Sequence, residues 1–272
     1  VPLQPDGKTL PMLTLTQGHL RQLEICPRRY QYTYIDHYNA PIDPAMAERQ
    51  RWGTQFHLVM QQRDLELPVD DLLQADPDLE MAVSSLQAAA PDLFIPQPKG
   101  FRQSEHRRTL AFNGYGLTAI YDLLVMDATS GHIVDWKTYQ TPSSKTQLAQ
   151  EWQTRLYLYL LVETSDLPPE QVAMTYWFVA PPGAQADPQP PSSVTIAYTA
   201  AQHRRTQADL QRLTDRLTAL LALNDDLPQV DSALGHCTHC PYVVRCQRAS
   251  ERYAMAGGVE LPAIADIAEV PL

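Results

Sequence analysis

Ile133-Val134-Asp135-Trp136-Lys137 is the stretch on which the fold turns. It reads as part of a strand, where residues two apart share a face, so Asp135 and Lys137 project together with Trp136 opposite. A carboxylate binds a hard divalent cation through oxygen. A lysine beside it can orient or help deprotonate an attacking water and stabilise negative charge on a phosphate. Just upstream, Ala119-Ile120-Tyr121-Asp122-Leu123-Leu124 reads as a partner strand within Leu117 to Met126. The short segment 127–131 between them is hairpin-like. A turn centred on Thr129 sets position 122 opposite about position 136, so Asp122 and Asp135 approach closely. Two carboxylates side by side are costly unless a cation lies between them. Both also interrupt otherwise apolar strands, where a charge needs a reason. Alone, Asp-x-Lys on a strand is more often an ordinary surface ion pair, so the neighbouring signals matter.

Outward from the hairpin the period changes. Before it, Thr14 to Tyr34 reads as a helix ending in the aromatic run Tyr30, Tyr32, Tyr34; Ala45 to Leu65 as a second, with Trp52, Phe56, Val59 and Met60 at helical spacing; and Asp76 to Ala89 as a third. Arg108 to Phe112 reads as a further strand. After the hairpin come a helix from Lys145 to Thr164, a strand from Val172 to Val179, a proline-rich loop from Pro181 to Pro191, and a sheet-edge strand from Val194 to Tyr198. Ala200 to Leu223 is an amphipathic helix with Leu210, Leu213, Leu217, Leu220 and Leu221 on one face. Helices, then strands, then helices predict a mixed α/β core.

The chain has 272 residues and a formal net charge of −10. That length suits one sizeable core with a small lobe. The acidic balance argues against coating nucleic acid by bulk electrostatics but leaves room for a local basic path through Arg28–Arg29, Arg102 with Arg107–Arg108, or Arg245 with Arg248. No run is long and apolar enough for a membrane span, and no secretory signal is legible, so a cytoplasmic location without membrane partners is expected.

Two further signals fall near the carboxylates. His57, in Gly53-Thr54-Gln55-Phe56-His57, can offer a nitrogen ligand to the same cation, although a lone histidine on an apolar helix face is more often structural. Gln153 and Tyr157 lie four apart on one helix face, placed to meet the lysine, the water or a phosphate. Taken together, His57, Asp122, Asp135-x-Lys137 and Gln153-x-x-x-Tyr157, with Leu20-x-x-x-x-x-Cys26-Pro27-x-x-Tyr30 before them, resemble the PD-(D/E)XK nuclease superfamily, in particular its RecB-like branch. The resemblance runs from about Thr14 to Arg248. It implies a restriction-endonuclease-like sheet flanked by helices, and a Mg²⁺- or Mn²⁺-dependent DNA nuclease, an exonuclease on single-stranded ends. It implies His57, Asp122, Asp135 and the Trp136 carbonyl as metal ligands, Lys137 as the catalytic lysine, Gln153 and Tyr157 as an accessory motif, and Glu105 as an upstream acidic accessory. Tyrosines and arginines of the first helices are expected to line a single-strand channel, bases stacked on the rings. The alternative is a noncatalytic nucleic-acid-binding or scaffold subunit that keeps the fold.

Four cysteines remain: Cys26, then Cys237, Cys240 and Cys246. In a chain of this size, metal or cluster binding is favoured over disulfides. Thiolates suit both zinc and iron–sulfur clusters. One distant cysteine plus a C-terminal trio resembles the iron–sulfur nucleases, among them CRISPR-associated adaptation exonucleases and AddB-type nuclease domains, and implies a [4Fe–4S] cluster joining the two chain ends. On that reading residues 1–253 form a single nuclease domain, with a core at about 45–223 and a cluster lobe from about 14–40 plus 224–253, followed by a C-terminal extension, 254–272. No Gly-x-x-x-x-Gly-Lys-Ser/Thr phosphate loop is present, so a helicase or CRISPR adaptation partner would be another polypeptide.

Overall fold

A computed structural model describes residues 12–39, 44–95, 100–139, 144–181 and 190–248. The expected proline-rich loop lies largely, and the C-terminal extension wholly, outside the described residues. Packing divides the chain into two compact units, Val1–Arg21 with Ile42–Ala219, and Gln22–Pro41 with Leu220–Leu272.

The first unit is built on a mixed six-stranded sheet. Its strands are β1 (Thr14–Leu15), β2 (Phe101–Phe112), β3 (Tyr115–Met126), β4 (Gly131–Lys137), β5 (Val172–Phe178) and β6 (Ser192–Ala197). β3 is the hub: β2 pairs with it antiparallel along its length, while β1 pairs with its start and β4 with its end. β5 then joins β4 in parallel, and β6 closes the path antiparallel to β5, at the expected edge. β2 begins at Phe101, not at Arg108, because a tight Asn113-Gly114 turn starts a long hairpin. Both turn residues hold positive φ, 48° and 84°. Asn-Gly is the pair that tolerates this best, and the signal stands in the sequence. The Asn113 amide also donates to Thr214 and Asp215, each at 2.8 Å.

Helices cover both faces. On one, α3 (Pro44–Asp64) and α5 (Pro77–Ala89) bury Trp52, Phe56, Val59, Leu79, Val83 and Leu86 against Leu123, Val134 and Trp136 of the sheet. On the other lie α7 (Trp152–Glu163) and α8 (Ala200–Leu221). Tyr121 donates to the Tyr157 carbonyl at 3.0 Å, Tyr115 meets Thr218 at 2.8 Å, and Arg155 of α7 pairs with Asp209 of α8 at 2.5 Å. Leu210, Leu213 and Leu217 of the leucine stripe are fully buried, whereas Leu221 is exposed. The expected helix from Lys145 is two helices, α6 (Lys145–Gln150) and α7, because Glu151 is extended between them, and Ser144 with Gln147 forms a capping box at the start of α6. A short α4 (Asp70–Ala75) precedes α5 and was not expected. Phe56 is fully buried and its ring stacks on Trp52 at 5.7 Å. Phe56→Ala is therefore expected to lower stability by about 3–5 kcal/mol, read by urea denaturation.

The N-terminal stretch is not one helix. Thr14–Leu15 is strand, α1 spans Gln17–Ile25, and Cys26 is extended (φ −161°) before α2 (Pro27–Tyr30). The cause is Pro27, which disfavours helical backbone in the residue before it. A π-helical turn, Gln31–Ile35, follows. In the second unit this turn meets the chain after residue 220: Gln31 donates to Asp226 and accepts from the Leu227 N–H, Arg28 pairs with Asp226 at 2.7 Å, and Tyr242 donates to the Tyr38 carbonyl. Residues 235–247 form turns rather than a regular helix.

Candidate active site

The site begins where β3 and β4 part. Their ladder runs from Met126↔Gly131 to Leu123↔Val134, and one step further Asp122 stands opposite Asp135, one residue from the expected register. There the backbone pairing stops, and the Trp136 N–H donates to the Asp122 carboxylate at 2.8 Å. A side chain thus replaces the neighbouring strand as acceptor and brings its charge to the opening.

The same point is marked by a change of face along both strands. Tyr115 and Tyr121 reach α7 and α8, yet Leu123, of the same parity, packs under α3 and α5. In β2, Arg108 reaches Thr164 beyond α7, whereas Arg102 reaches Asp64 of α3. Residues of one parity should share one face, so the alternation slips between them. Glu105 lies at the slip with φ +49°, left-handed backbone that is rare for a non-glycine inside a strand. Glu105 stands across from Asp122 between the pairs Ser104↔Leu123 and His106↔Tyr121. Strain of this kind persists where surrounding structure over-determines it, commonly at functional sites.

α3 supplies the third group. His57 Nε2 lies 3.1 Å from the Trp136 carbonyl and Nδ1 lies 3.5 Å from Asp122. Ligand atoms of His57, Glu105 and Asp122 all lie within 4.8 Å of one another, the spacing a single cation needs. The helix can come this close because Gly53, one turn before His57, rests on Thr138. A Cβ there would stand 2.8 Å from the Thr138 hydroxyl. Gly53→Ala is expected to push the His57 turn outward by a few tenths of an ångström and cut activity about tenfold. A Gly53→Ala/Thr138→Ala double variant should regain most of it in the same assay.

Next to this group sits a second. Asp135 is 2% exposed, with one oxygen 2.6 Å from Lys137 Nζ and the other accepting from Gln153 at 2.6 Å. Lys137 in turn donates to Gln153 Oε1 at 2.8 Å, closing a triangle. Gln153 and Asp135 thus hold the ammonium of Lys137 in place. Tyr157, one turn beyond Gln153 on α7, is buried with its ring against Tyr121.

The protonation tendencies follow from burial and the crowding of like charges. Burial raises the Asp135 carboxyl and Asp122 raises it further, against the pull of Lys137. Burial, then Asp122, also raises Glu105. At His57 burial favours the neutral ring, but Asp122, with Asp135 and Glu105, outweighs it and raises the pKa. Three carboxylates and an imidazole therefore share a partly buried space, with the Lys137 ammonium beside Asp135. This donor set fits a hard divalent cation, which would offset the repulsion. His57, Glu105 and Asp122 surround one position, with the Trp136 carbonyl beside His57, whereas Asp135, expected as a ligand, lies outside this set with its oxygens turned to Lys137 and Gln153.

The structure thus brings His57, Asp122 and the accessory candidate Glu105 together, with Asp135, Lys137 and Gln153 in a hydrogen-bonded group of their own. Sequence reasoning had no local signal for Glu105, since its stretch of β2 was not read as strand. Of the tyrosines expected to line a single-strand channel, Tyr30 and Tyr32 are 1% and 7% exposed and serve as packing, while Tyr34 is half-buried. Of the expected basic path, Arg28 is held by Asp226, Arg102 by Asp64 and Arg108 by Thr164.

In the second unit Cys26, Cys237, Cys240 and Cys246 line one pocket with Ile25, Tyr242 and Val243 among its walls. None is in a disulfide. Cys237 Sγ accepts from Arg248 at 3.4 Å. Burial pushes the Cys246 thiol up, and Cys240 and Cys26 add to it against Arg28 and Arg248. Four thiols share an apolar pocket with basic residues beside them, a donor type suited to a thiolate-bound group, but no three of their sulfurs lie within the 4.8 Å of one another that a single ion needs.

Among the described residues no helix is long and apolar enough to cross a membrane. The family model of the PD-(D/E)XK nuclease superfamily matches residues 14–247. No curated protein matches the chain. A crystal structure of a candidate exonuclease from Eubacterium rectale aligns over 79% of this chain and 83% of its own, at 10% identity and a TM-score of 0.51, a likeness of fold. The crystal structure of SSO0001 aligns over 88% of each chain at 12% identity, with a TM-score of 0.39.

Proposed function

The chain belongs to the PD-(D/E)XK nuclease superfamily, and from that premise we propose that it is a divalent-metal-dependent DNA nuclease, an exonuclease on single-stranded ends. The observation that carries this is the convergence of His57, Glu105 and Asp122 within 4.8 Å, beside the Asp135–Lys137–Gln153 triangle. A Mg²⁺ or Mn²⁺ ion bound there would polarise the phosphate and activate water. His57, Glu105, Asp122, Asp135 and the Trp136 carbonyl would hold it. Lys137 places a positive charge where the attacking water and the phosphate meet, and Gln153 keeps it there. Tyr157 supports Gln153 from below.

The second part of the proposal is a [4Fe–4S] cluster on Cys26, Cys237, Cys240 and Cys246, as in the RecB-like branch with a C-terminal cysteine trio. The four thiols in one pocket support it. The lobe would comprise about 14–40 with 224–253, and the nuclease core about 45–223. A reducing, cytoplasmic setting suits four cysteines outside any disulfide, and a helicase or CRISPR adaptation proteins are the partners proposed. The test is incubation of anaerobically purified protein with end-labelled single-stranded DNA, with and without Mn²⁺, beside Asp135→Ala. Metal-dependent degradation lost in the variant supports the enzyme. Intact protein that degrades neither single-stranded nor duplex DNA favours the binding subunit.

A further inference from the structure

Asp122, one of the three converging groups, also lines a cavity of about 280 Å³. Trp136 lines it as well, and Met60, Leu93, Phe94 and Ile95 give it an apolar wall. The guanidinium of Arg63 lies over the Phe94 ring, 4.9 Å from its centre, so cation and ring together form one stacking surface. The polar groups of the cavity differ in what they have left to offer. Arg102 is spent on Asp64 at 2.6 Å and on the Leu93 carbonyl at 2.7 Å, and the other oxygen of Asp64 takes the Ser104 N–H. The Ser104 hydroxyl is different. The residue is 7% exposed and lines the cavity, and its oxygen has no hydrogen-bond partner among the described residues. A buried hydroxyl without a partner is destabilising and calls for an explanation.

The charge around the cavity restricts the ligand. Asp64, Glu66 and Asp122 stand against Arg63 and Arg102, and Arg102 is already neutralised by Asp64. A phosphate would meet net negative potential. A neutral planar group with an apolar face and a hydrogen-bonding edge meets a matching platform and a waiting hydroxyl. We propose that the cavity seats the nucleobase flanking the scissile phosphate of a single-stranded end, stacked on the Phe94–Arg63 platform with its edge on Ser104. The inference rests on the nuclease reading and deepens it, because it supplies a physical basis for single-strand preference. A base enters such a pocket only when unstacked and unpaired, and stacking on an aromatic side chain accepts any base.

The test uses single-stranded oligonucleotides carrying 2-aminopurine in turn at each of the first positions from either end, added to the full chain in Ca²⁺. The expected result is quenching confined to one position, lost in Phe94→Leu, which keeps apolar volume, and weakened in Ser104→Ala. Ser104→Ala loses only an unpaired hydroxyl, so its melting temperature should equal or exceed that of the wild type, which separates a binding effect from misfolding. An abasic site at the quenched position should then lower kcat/KM in Mn²⁺ about tenfold or more for the wild type, with little further loss in Phe94→Leu. Quenching that is absent at every position, or that survives in Phe94→Leu, overturns the seat, as does an abasic end cleaved at the ordinary rate. A chain that quenches at one position yet cleaves no DNA keeps the seat and removes the nuclease reading, so the two failures are distinct.

Discussion

In Mn²⁺, Asp135→Asn is expected to cleave single-stranded DNA at least about a thousandfold more slowly than the wild-type chain, a loss of the size seen when a preorganised charge is removed from a reacting centre. The stability of the metal-free protein should respond in the opposite sense. Asp135 is buried opposite Asp122, and burial and that neighbour raise its carboxyl in spite of Lys137. The ionised form is therefore disfavoured in the folded state, and a neutral isostere removes the penalty. In EDTA, Asp135→Asn should melt at or above the wild-type temperature. Lys137→Ala should melt lower, because it leaves Asp135 without the ammonium at 2.6 Å. Its cost is about 2–3 kcal/mol, below that of a fully buried pair, since Asp135 can take up a proton instead. Cleavage rates with thermal melts of both variants check this. An Asp135→Asn chain that cleaves at the ordinary rate, or that loses its rate only by unfolding, would sink the assignment of Asp135.

Cys246→Ser is expected to abolish bound iron and to loosen residues 235–248. These residues form turns without a regular helix, and the apolar cluster around them is small, Tyr32, Cys240, Tyr242 and Val243 with Cys237 and Cys246 at its margin. Such a segment has little apolar surface with which to offset the entropy of ordering it. Metal ligation in small thiolate sites supplies folding free energy on the order of 10 kcal/mol, far more than this cluster. Iron and zinc analysis of anaerobically purified wild type and variant, with limited proteolysis across this segment, tests the expectation. Iron in the wild type and none in the variant, with new cleavage there, supports the cluster. Zinc in place of iron would make the site a zinc staple, and a wild type free of both metals would refute ligation altogether.

The central hairpin was legible because its signals are local and redundant. Asp135 and Lys137 follow from the period of two, and Asp122 follows from counting back across the turn. The paired carboxylates in apolar strands already called for a cation. His57 was only one histidine on an apolar helix face until Gly53 against Thr138 gave a reason for the helix to approach. Glu105 had no such signal, because its place depends on left-handed backbone that no residue around it favours. The Asn113-Gly114 turn, a local signal that the strand reading from Arg108 passed over, extends β2 back toward it. Cys26-Pro27 likewise announced the helix break that the aromatic run concealed.

The sequence by itself determined the strand and helix periods, the membership of the carboxylates and the lysine in one hairpin, and the four cysteines as a set, since each is a matter of spacing along one chain. The tertiary structure decided which side chains face the opening. It turned Tyr30 and Tyr32 inward, brought Glu105 across from Asp122 through a slip in strand alternation, and set Phe94, Arg63 and Ser104 around a cavity lined also by Asp122. Those placements come from packing between segments far apart in sequence, and no local propensity encodes them.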